Sequence, residues 1–298
     1  MKLNLQINNQ SFVMFDIAML GLASLGILLT VLFWILGARW LSILMIMSLF
    51  VLAYGIWVAP RRFIITRVKK ALSKSPTAWL KAVYIADLHA GKSKPVSWYK
   101  KVFAAINELG ADMLLVGGDM VVADSSYLDK LDGLSEMKFA YGKYYILGNH
   151  DYLDSPSEVT KQMDEWGFVN LVNKSKDIKF QGLDLQLAGL DDTLYGQIKI
   201  PVRNSQAPFV LLGHEPDVLL EMHEGQADLV LCGHTHGGQI RLPFIGSLVV
   251  PSKLGRRADL GHRIINGIPT FVTRGLGEVL CRARLLCPPE IVVLELGI

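Results

Sequence analysis

Five of the chain's seven histidines stand in short motifs built from Asp, Asn, His and Gly. The motifs read Asp87-Leu88-His89, Gly117-Gly118-Asp119, Gly148-Asn149-His150-Asp151, Gly213-His214 and Gly233-His234-Thr235-His236. Imidazole and carboxylate are transition-metal ligands, and in this mixture they suit manganese, iron or zinc better than magnesium or calcium. A carboxylate has two oxygens with several lone pairs, so one Asp is able to bridge two cations. In Asp87-Leu88-His89 the outer residues are two apart, and on an extended chain they point the same way. The glycines that precede Asp119, Asn149, His214 and His234 permit sharp turns and close backbone approach. Histidines scattered through a core do not cluster like this. His223 and His262 match no motif and read as ordinary surface or core residues.

Each motif follows a short apolar run. Strands are expected over residues 81–86, 113–116, 143–147, 209–212 and 229–232, and a helix over residues 98–109 with Tyr99, Val102, Phe103 and Ile106 on one face. Strand–helix alternation indicates an α/β fold. Buried strands that all end in polar residues bring those residues to one edge of a sheet.

In this order the motifs resemble the calcineurin-like metallophosphoesterase superfamily, whose pattern runs DxH, GD, GNH[DE], GH and GHxH. The resemblance covers residues 80–298. The longer string Cys232-Gly233-His234-Thr235-His236-Gly237-Gly238-Gln239 is similar to a bacterial branch of membrane-associated phosphodiesterases, and to some lipid A pathway pyrophosphatases. The resemblance implies a four-layer α/β/β/α sandwich holding two divalent metal ions. It makes Asp87, His89, Asp119 and His236 ligands of one ion, and Asp119, Asn149, His214 and His234 ligands of the other. The loop at His234-Thr235-His236 must then send alternate residues to different metals. Two such ions acidify a shared water and neutralise phosphate oxygens. His150 is expected to face the substrate as a catalytic group, with Asp151 available to orient it. Arg241, just beyond the last ligand loop, is the best candidate for binding an anionic, phosphate-containing substrate. Lys92, Lys94, Arg256, Arg257, Arg282 and Arg284 are further candidates for a cationic rim.

The rest of the composition points to a membrane. The 298 residues are 51% hydrophobic and only 19% charged, with positive mean hydropathy. That charged fraction is low against the ~25% typical of soluble domains. The apolar excess sits in the first sixty residues. Residues 17–36 and 40–58 carry no charge, and a helix crosses the hydrocarbon core with roughly 20 residues. They read as a transmembrane hairpin over residues 17–58, after an N-terminal segment of residues 1–16. Trp34, Trp40 and Trp57 suit the interfaces.

Residues 59–79 read as a basic amphipathic juxtamembrane linker, with Ile64, Val68, Ala71 and Leu72 on one face of a helix lying on anionic headgroups. Arg61, Arg62, Arg67, Lys69, Lys70 and Lys74 follow the second span, whereas the hairpin turn holds only Arg39. The positive-inside rule puts the catalytic domain, residues 80–298, and the N-terminus with its Lys2 in the cytoplasm. The expected location is therefore the cell inner membrane, as a multi-pass protein. Cys232, Cys281 and Cys287 form no disulfide framework and read as reduced thiols.

The expected activity is hydrolysis of phosphodiester or pyrophosphate bonds at the membrane, with a lipid-linked substrate such as UDP-2,3-diacylglucosamine. The alternatives are a general phosphodiesterase or phosphatase on soluble substrates, and a non-catalytic membrane scaffold. A scaffold should have lost ligands, and here every motif is complete. The net charge of +3 and the lack of a basic–aromatic tract argue against nucleic acid as a partner.

Overall fold

The computed structural model describes residues 9–203 and 206–298. The expected segment 1–16 therefore lies outside the described residues up to position 8. Two helices, α1 (Asn9–Ile35) and α2 (Arg39–Ala53), form an antiparallel hairpin. Gly37, at φ 76°, occupies the turn between them. A π-helical turn, Tyr54–Val58, and a 3₁₀ turn, Ala59–Arg61, carry α2 onward. The helices touch where Ser42 Oγ donates to the Thr30 carbonyl at 2.9 Å. Their most apolar windows have a mean hydropathy of 2.3 yet are only 6% and 11% buried. A core helix of a soluble fold would be largely covered. These open apolar surfaces indicate membrane association.

The chain then enters β1 (Ile64–Ala71) and corrects the sequence reading of a surface helix. β1 pairs in parallel with the last strand, β14 (Glu290–Gly297), from Ile64 opposite Glu290 to Ala71 opposite Gly297. Val68 is buried while Arg67 and Lys69 are exposed, an alternation of period two. The reason is the edge of β14, whose N–H and C=O groups need backbone partners. Ile64, Ile65, Thr66 and Val68 are β-branched and favour the extended chain. Arg67 and Lys69 then protect the new outer edge by their charge.

The remaining elements are β2 (Trp79–Ile85), α3 (Val96–Glu108), β3 (Met113–Gly117), α4 (Gly133–Glu136), β4 (Lys143–Ile146), α5 (Pro156–Glu165), β5 (Val169–Asn170), β6 (Lys174–Phe180), β7 (Leu183–Gly189), β8 (Phe209–Leu212), β9 (Leu229–Cys232), β10 (Arg241–Leu242), β11 (Gly246–Ser247), β12 (Gly261–Ile265) and β13 (Ile268–Val272). Each expected strand and the expected helix is present, with ends displaced by no more than two residues. Among the described residues there are two mixed six-stranded sheets, ordered β1-β14-β2-β3-β4-β5 and β12-β13-β9-β8-β7-β6. β2 to β5 run parallel, as do β7, β8, β9 and β13.

The sheets pack face to face. Leu80, Ala82 and Tyr84 of β2 meet Leu185, Leu212 and Leu231 of the second sheet in the central core. The alternate residues Val83 and Ile85 face outward, onto Tyr99, Val102 and Ile106 of α3. The outer face of the second sheet is covered by short 3₁₀ turns at Pro216–Leu220 and Gly255–Ala258. This is the α/β architecture expected, with a thinner fourth layer. All three cysteines are free thiols.

Because Val68 faces the core and Arg67 faces outward, the two readings of residues 64–71 part on mutation. Val68→Asp buries an unpaired carboxylate and should destabilise the domain by about 3 kcal/mol or more. Arg67→Ala should stay within about 0.5 kcal/mol. Thermal unfolding of both variants in detergent measures this, and a Val68→Asp variant as stable as Arg67→Ala would restore the surface helix.

Candidate metal centre

The expected site residues converge at the carboxyl ends of the parallel strands. Asp87 and His89 follow β2, Asp119 follows β3, Asn149 and His150 follow β4, His214 follows β8, and His234 and His236 follow β9. The turns are tight enough that Asp87, His89, Asp119, His234 and His236 all have positive φ, between 44° and 65°. Such angles are rare for residues with side chains and mark a backbone held by its surroundings.

Asp119 is held by Asp151, which is fully buried. Its Oδ2 accepts from the backbone N–H groups of Asp119 at 2.9 Å and Gly148 at 3.0 Å. Its Oδ1 accepts from Met120 at 2.8 Å and Val121 at 3.3 Å. One carboxylate thus ties the loop after β3 to the loop after β4. Sequence reasoning gave Asp151 a different part, that of orienting His150. The His150 ring is instead held by a short contact from Nδ1 to the Val122 carbonyl. Gly148 is required by this proximity, since a Cβ there would come within 2.4 Å of Asp119 Oδ1 and 2.7 Å of His214 Nε2.

Within the cluster His214 Nε2 lies 3.1 Å from Asp119 Oδ2, and His89 Nε2 lies 3.5 Å from the same oxygen. Asp87 Oδ1 lies 3.7 Å from His236 Nε2 and 3.9 Å from His214 Nε2. His89 Nε2 and His236 Nε2 face each other at 3.1 Å. Three groups have ligand atoms within 4.8 Å of one another: Asp87, His89 and His236; His89, Asp119 and His150; and Asp119, His214 and His234. The two imidazoles of His234-Thr235-His236 therefore serve different groups.

The donors are arranged for cations. His214 Nδ1 lies 2.7 Å from the Gly117 carbonyl, which fixes a proton there and turns Nε2 toward the carboxylates. Burial opposes protonation of this ring, but Asp119 outweighs it and raises His214 well above the usual range, a place a cation would take over. His234 Nε2 lies 3.0 Å from the Pro251 carbonyl, so its Nδ1 lone pair faces Asn149 Oδ1 at 2.9 Å. Two acceptors so placed are relieved by a shared cation. Among the described residues, Asp87 Oδ2, His89 Nδ1 and His236 Nδ1 are buried with no hydrogen-bond partner. Burial keeps His89 and His236 neutral, and burial with the nearby His214 lowers His234 to about 4. Neutral imidazole is the form that binds metal. Burial, together with the charge of Asp119, pushes the Asp87 carboxyl up to about 7. Asp119 is held well below the usual carboxylate range: burial opposes this, but His214, His150 and His89 outweigh it.

Arg241, the expected substrate-binding residue, is engaged within the protein. Its Nη1 donates to Asp259 Oδ2 at 2.8 Å and to the Gly237 carbonyl at 3.0 Å, so it braces the loop that follows His236. Arg284 is fully buried, donating to Glu278 at 3.1 Å and to the carbonyls of Cys287, Arg274, Gly275 and Gly277. Lys94 is buried against Glu278 at 2.9 Å. These residues are internal ties. His262 packs edge-on against Phe271, away from the cluster.

Residues 80–238 match the family model described as calcineurin-like phosphoesterase. The chain is 31% identical over 252 residues to the phosphodiesterase YaeI of Escherichia coli, covering 82% of this chain and 92% of that protein. It is 31% identical to the metallophosphoesterase YkuE of Bacillus subtilis, covering 77% and 83% of the two chains. A transmembrane protein with a metallophosphoesterase domain from Danio rerio is 26% identical, over 71% of this chain and 52% of that one.

The four bonds accepted by Asp151 generate a prediction. Asp151→Ala leaves buried N–H groups unsatisfied, at roughly 1–3 kcal/mol each. It should lower the unfolding temperature and reduce metal content together. A variant with full metal content by elemental analysis would show that the two loops hold themselves.

Proposed function

The chain belongs to the calcineurin-like phosphoesterase family, and from that premise we infer that it is a two-metal phosphodiester or pyrophosphate hydrolase acting at a membrane surface. The observation that carries the metal reading is the pairing of two ligand groups. Asp87, His89 and His236 make one, and Asp119, His214 and His234 the other. Asn149 joins the second through its 2.9 Å approach to His234. Asp119 stands between the groups, close to both His89 and His214, as a bridging carboxylate should. The family uses divalent metals, and this imidazole-rich set suits manganese, iron or zinc.

When bound, such a pair of ions supplies an acidified water and charge neutralisation for the phosphate. The chain's own residues do the rest. Asp151 and the strand ends fix the ligands before substrate arrives, so little reorganisation is left for the reaction. Asp119 Oδ1 accepts from the His150 backbone N–H at 2.8 Å, which holds His150 beside the shared carboxylate. With Nδ1–H engaged by the Val122 carbonyl, His150 turns Nε2 to the cluster, and in its imidazolium form Nε2–H would donate to phosphate or protonate the leaving oxygen. His234 is the half-buried ligand, and the site opens to solvent beside it.

The membrane reading is supported by how the hairpin joins the domain. Only Arg62 and Phe63 separate the last helical turn from β1. The backbone N–H of Arg284 donates to the Gly55 carbonyl at 2.9 Å, and Lys94 Nζ to the Pro60 carbonyl at 2.6 Å. The domain is thus fastened to the end of the hairpin, which suits a substrate confined to two dimensions. A lipid-linked phosphodiester or pyrophosphate, of the UDP-2,3-diacylglucosamine kind, fits that position. The cations after the second span favour a cytoplasmic domain on an inner membrane, with both spans crossing it.

Two experiments test these readings. Asp119→Ala should lose both metals and all activity, while His150→Ala should keep both metals and lose ~10²–10⁴-fold in kcat. Loss of metal in the His150 variant would make it a ligand. A chain starting at Tyr54, which keeps β1 and the Gly55 and Pro60 carbonyls but neither apolar helix, should hydrolyse bis(p-nitrophenyl) phosphate at the full-length rate but lose most of its rate on lipid in vesicles. Equal rates on the lipid would favour the soluble-substrate alternative.

A further inference from the structure

Between the hairpin and the catalytic domain lies a cavity of about 790 Å³. Its walls on the hairpin side are apolar: Met19, Leu20, Ala23 and Ile27 of α1, with Leu52 of α2 and Ile56 beyond it. From Met19 to Ile27 the helical rise of ~1.5 Å per residue gives a wall of about 12 Å along the hairpin. At the far end of this wall, beside Ile27 and Leu49, the helices close up, since a Cβ on Gly26 would come within 2.9 Å of Leu49.

The domain end of the cavity is polar and cationic. Arg61, Lys94, Lys101 and Arg282 line it, against the two carboxylates Asp16 and Glu278. Arg282 pairs with Asp16, and Lys94 pairs with Glu278 at 2.9 Å. That leaves an excess of two positive charges, and among the described residues Arg61 and Lys101 make no ion pair. Both are exposed. Arg61 ends the second apolar helix and so stands where headgroups begin.

We propose that this cavity is a binding site for an anionic phospholipid of the bilayer, with an acyl chain between α1 and α2 and the phosphate on Arg61 and Lys101. The shape of the chemistry selects the ligand. Free phosphate would leave the apolar walls wet. A zwitterionic lipid would leave the cationic excess unbalanced. An anionic lipid satisfies both ends.

The site is separate from the metal centre. Gly277 lies behind His89, where a Cβ would come within 2.5 Å of His89 Cβ, and its N–H donates to the Asp87 carbonyl at 2.5 Å. Glu278, the next residue, lines the cavity. The lipid therefore packs against the back of the loop that supports Asp87 and His89, away from their ligand atoms. It is a bound component that seats the hairpin on the domain, not the substrate. The inference rests on the membrane-spanning reading of the hairpin but not on any reading of the substrate.

The test uses the full-length chain in nanodiscs of phosphatidylglycerol mixed with phosphatidylcholine, extracted into mild detergent and read by native mass spectrometry. One phosphatidylglycerol per chain should be retained in preference to phosphatidylcholine. Arg61→Gln with Lys101→Gln removes two cations at ~1 kcal/mol each and should weaken retention by about thirtyfold. Ala23→Trp, which fills the cavity without changing charge, should abolish it. Equal retention of the two lipids, or undiminished retention in Ala23→Trp, would overturn the site. Alkaline extraction of membranes separates this from a failure of the hairpin reading. A chain that is washed off the membrane refutes both, whereas a chain that stays and retains no lipid refutes the site alone.

Discussion

Four backbone N–H groups converge on the buried carboxylate of Asp151, and the rest of the active site depends on that convergence. A metal centre assembled from the ends of separate strands has a geometric problem. Each loop must leave its strand abruptly and turn a short side chain inward. Here Asp87, His89, Asp119, His234 and His236 all do so with left-handed backbone. Such conformations cost of order 1–3 kcal/mol each unless the surroundings impose them. Asp151 holds Asp119 in this conformation through the N–H groups of Asp119, Met120 and Val121, and ties that loop to Gly148 after β4. The backbone N–H of His234, donating to Asp87 Oδ1 at 3.0 Å, links the loop after β9 to the loop after β2. The two sheets bring the loops near each other, and these bonds set the last ångströms.

The same loops also carry the electrostatic design. Two carboxylates and several imidazoles are buried together. Without a cation the carboxylates repel, and Asp87 is driven up toward neutrality. Burial holds most of the imidazoles uncharged, with their lone pairs available. A cluster with this balance is incomplete as a purely protein structure and fitting for cations.

A second set of buried ties unites the apolar hairpin with the phosphoesterase domain. Glu278 accepts from both Lys94 and Arg284, and Arg284 in turn donates to four carbonyls of the loop behind Asp87 and His89. Its backbone reaches Gly55 in the hairpin. Cations buried this way are stable only when fully hydrogen-bonded, and that requirement fixes their neighbours. The position of the hairpin and the shape of the metal-supporting loop are therefore set by one network. β1 adds a ladder of eight paired residues to the far edge of the first sheet.

Sequence alone determined the residues of the candidate metal cluster, the strands that end in them and the apolar hairpin. Those features are local. A metal needs particular side-chain types, a buried strand needs a short apolar run, and a span needs an uncharged stretch of sufficient length. Tertiary structure decided what depends on distant partners. Ile64 to Ala71 has apolar positions compatible with a helix face, and only the open edge of β14, more than two hundred residues later, makes it a strand. Arg241, Arg284 and Lys94 carry charges that the sequence suited to a phosphate-binding rim. The fold gave Asp259 and Glu278 to them instead. Asp151 follows a candidate catalytic histidine, yet its partners are backbone groups some thirty residues away. The sequence states which charge is present, but its use depends on which groups the folded chain brings within hydrogen-bonding distance.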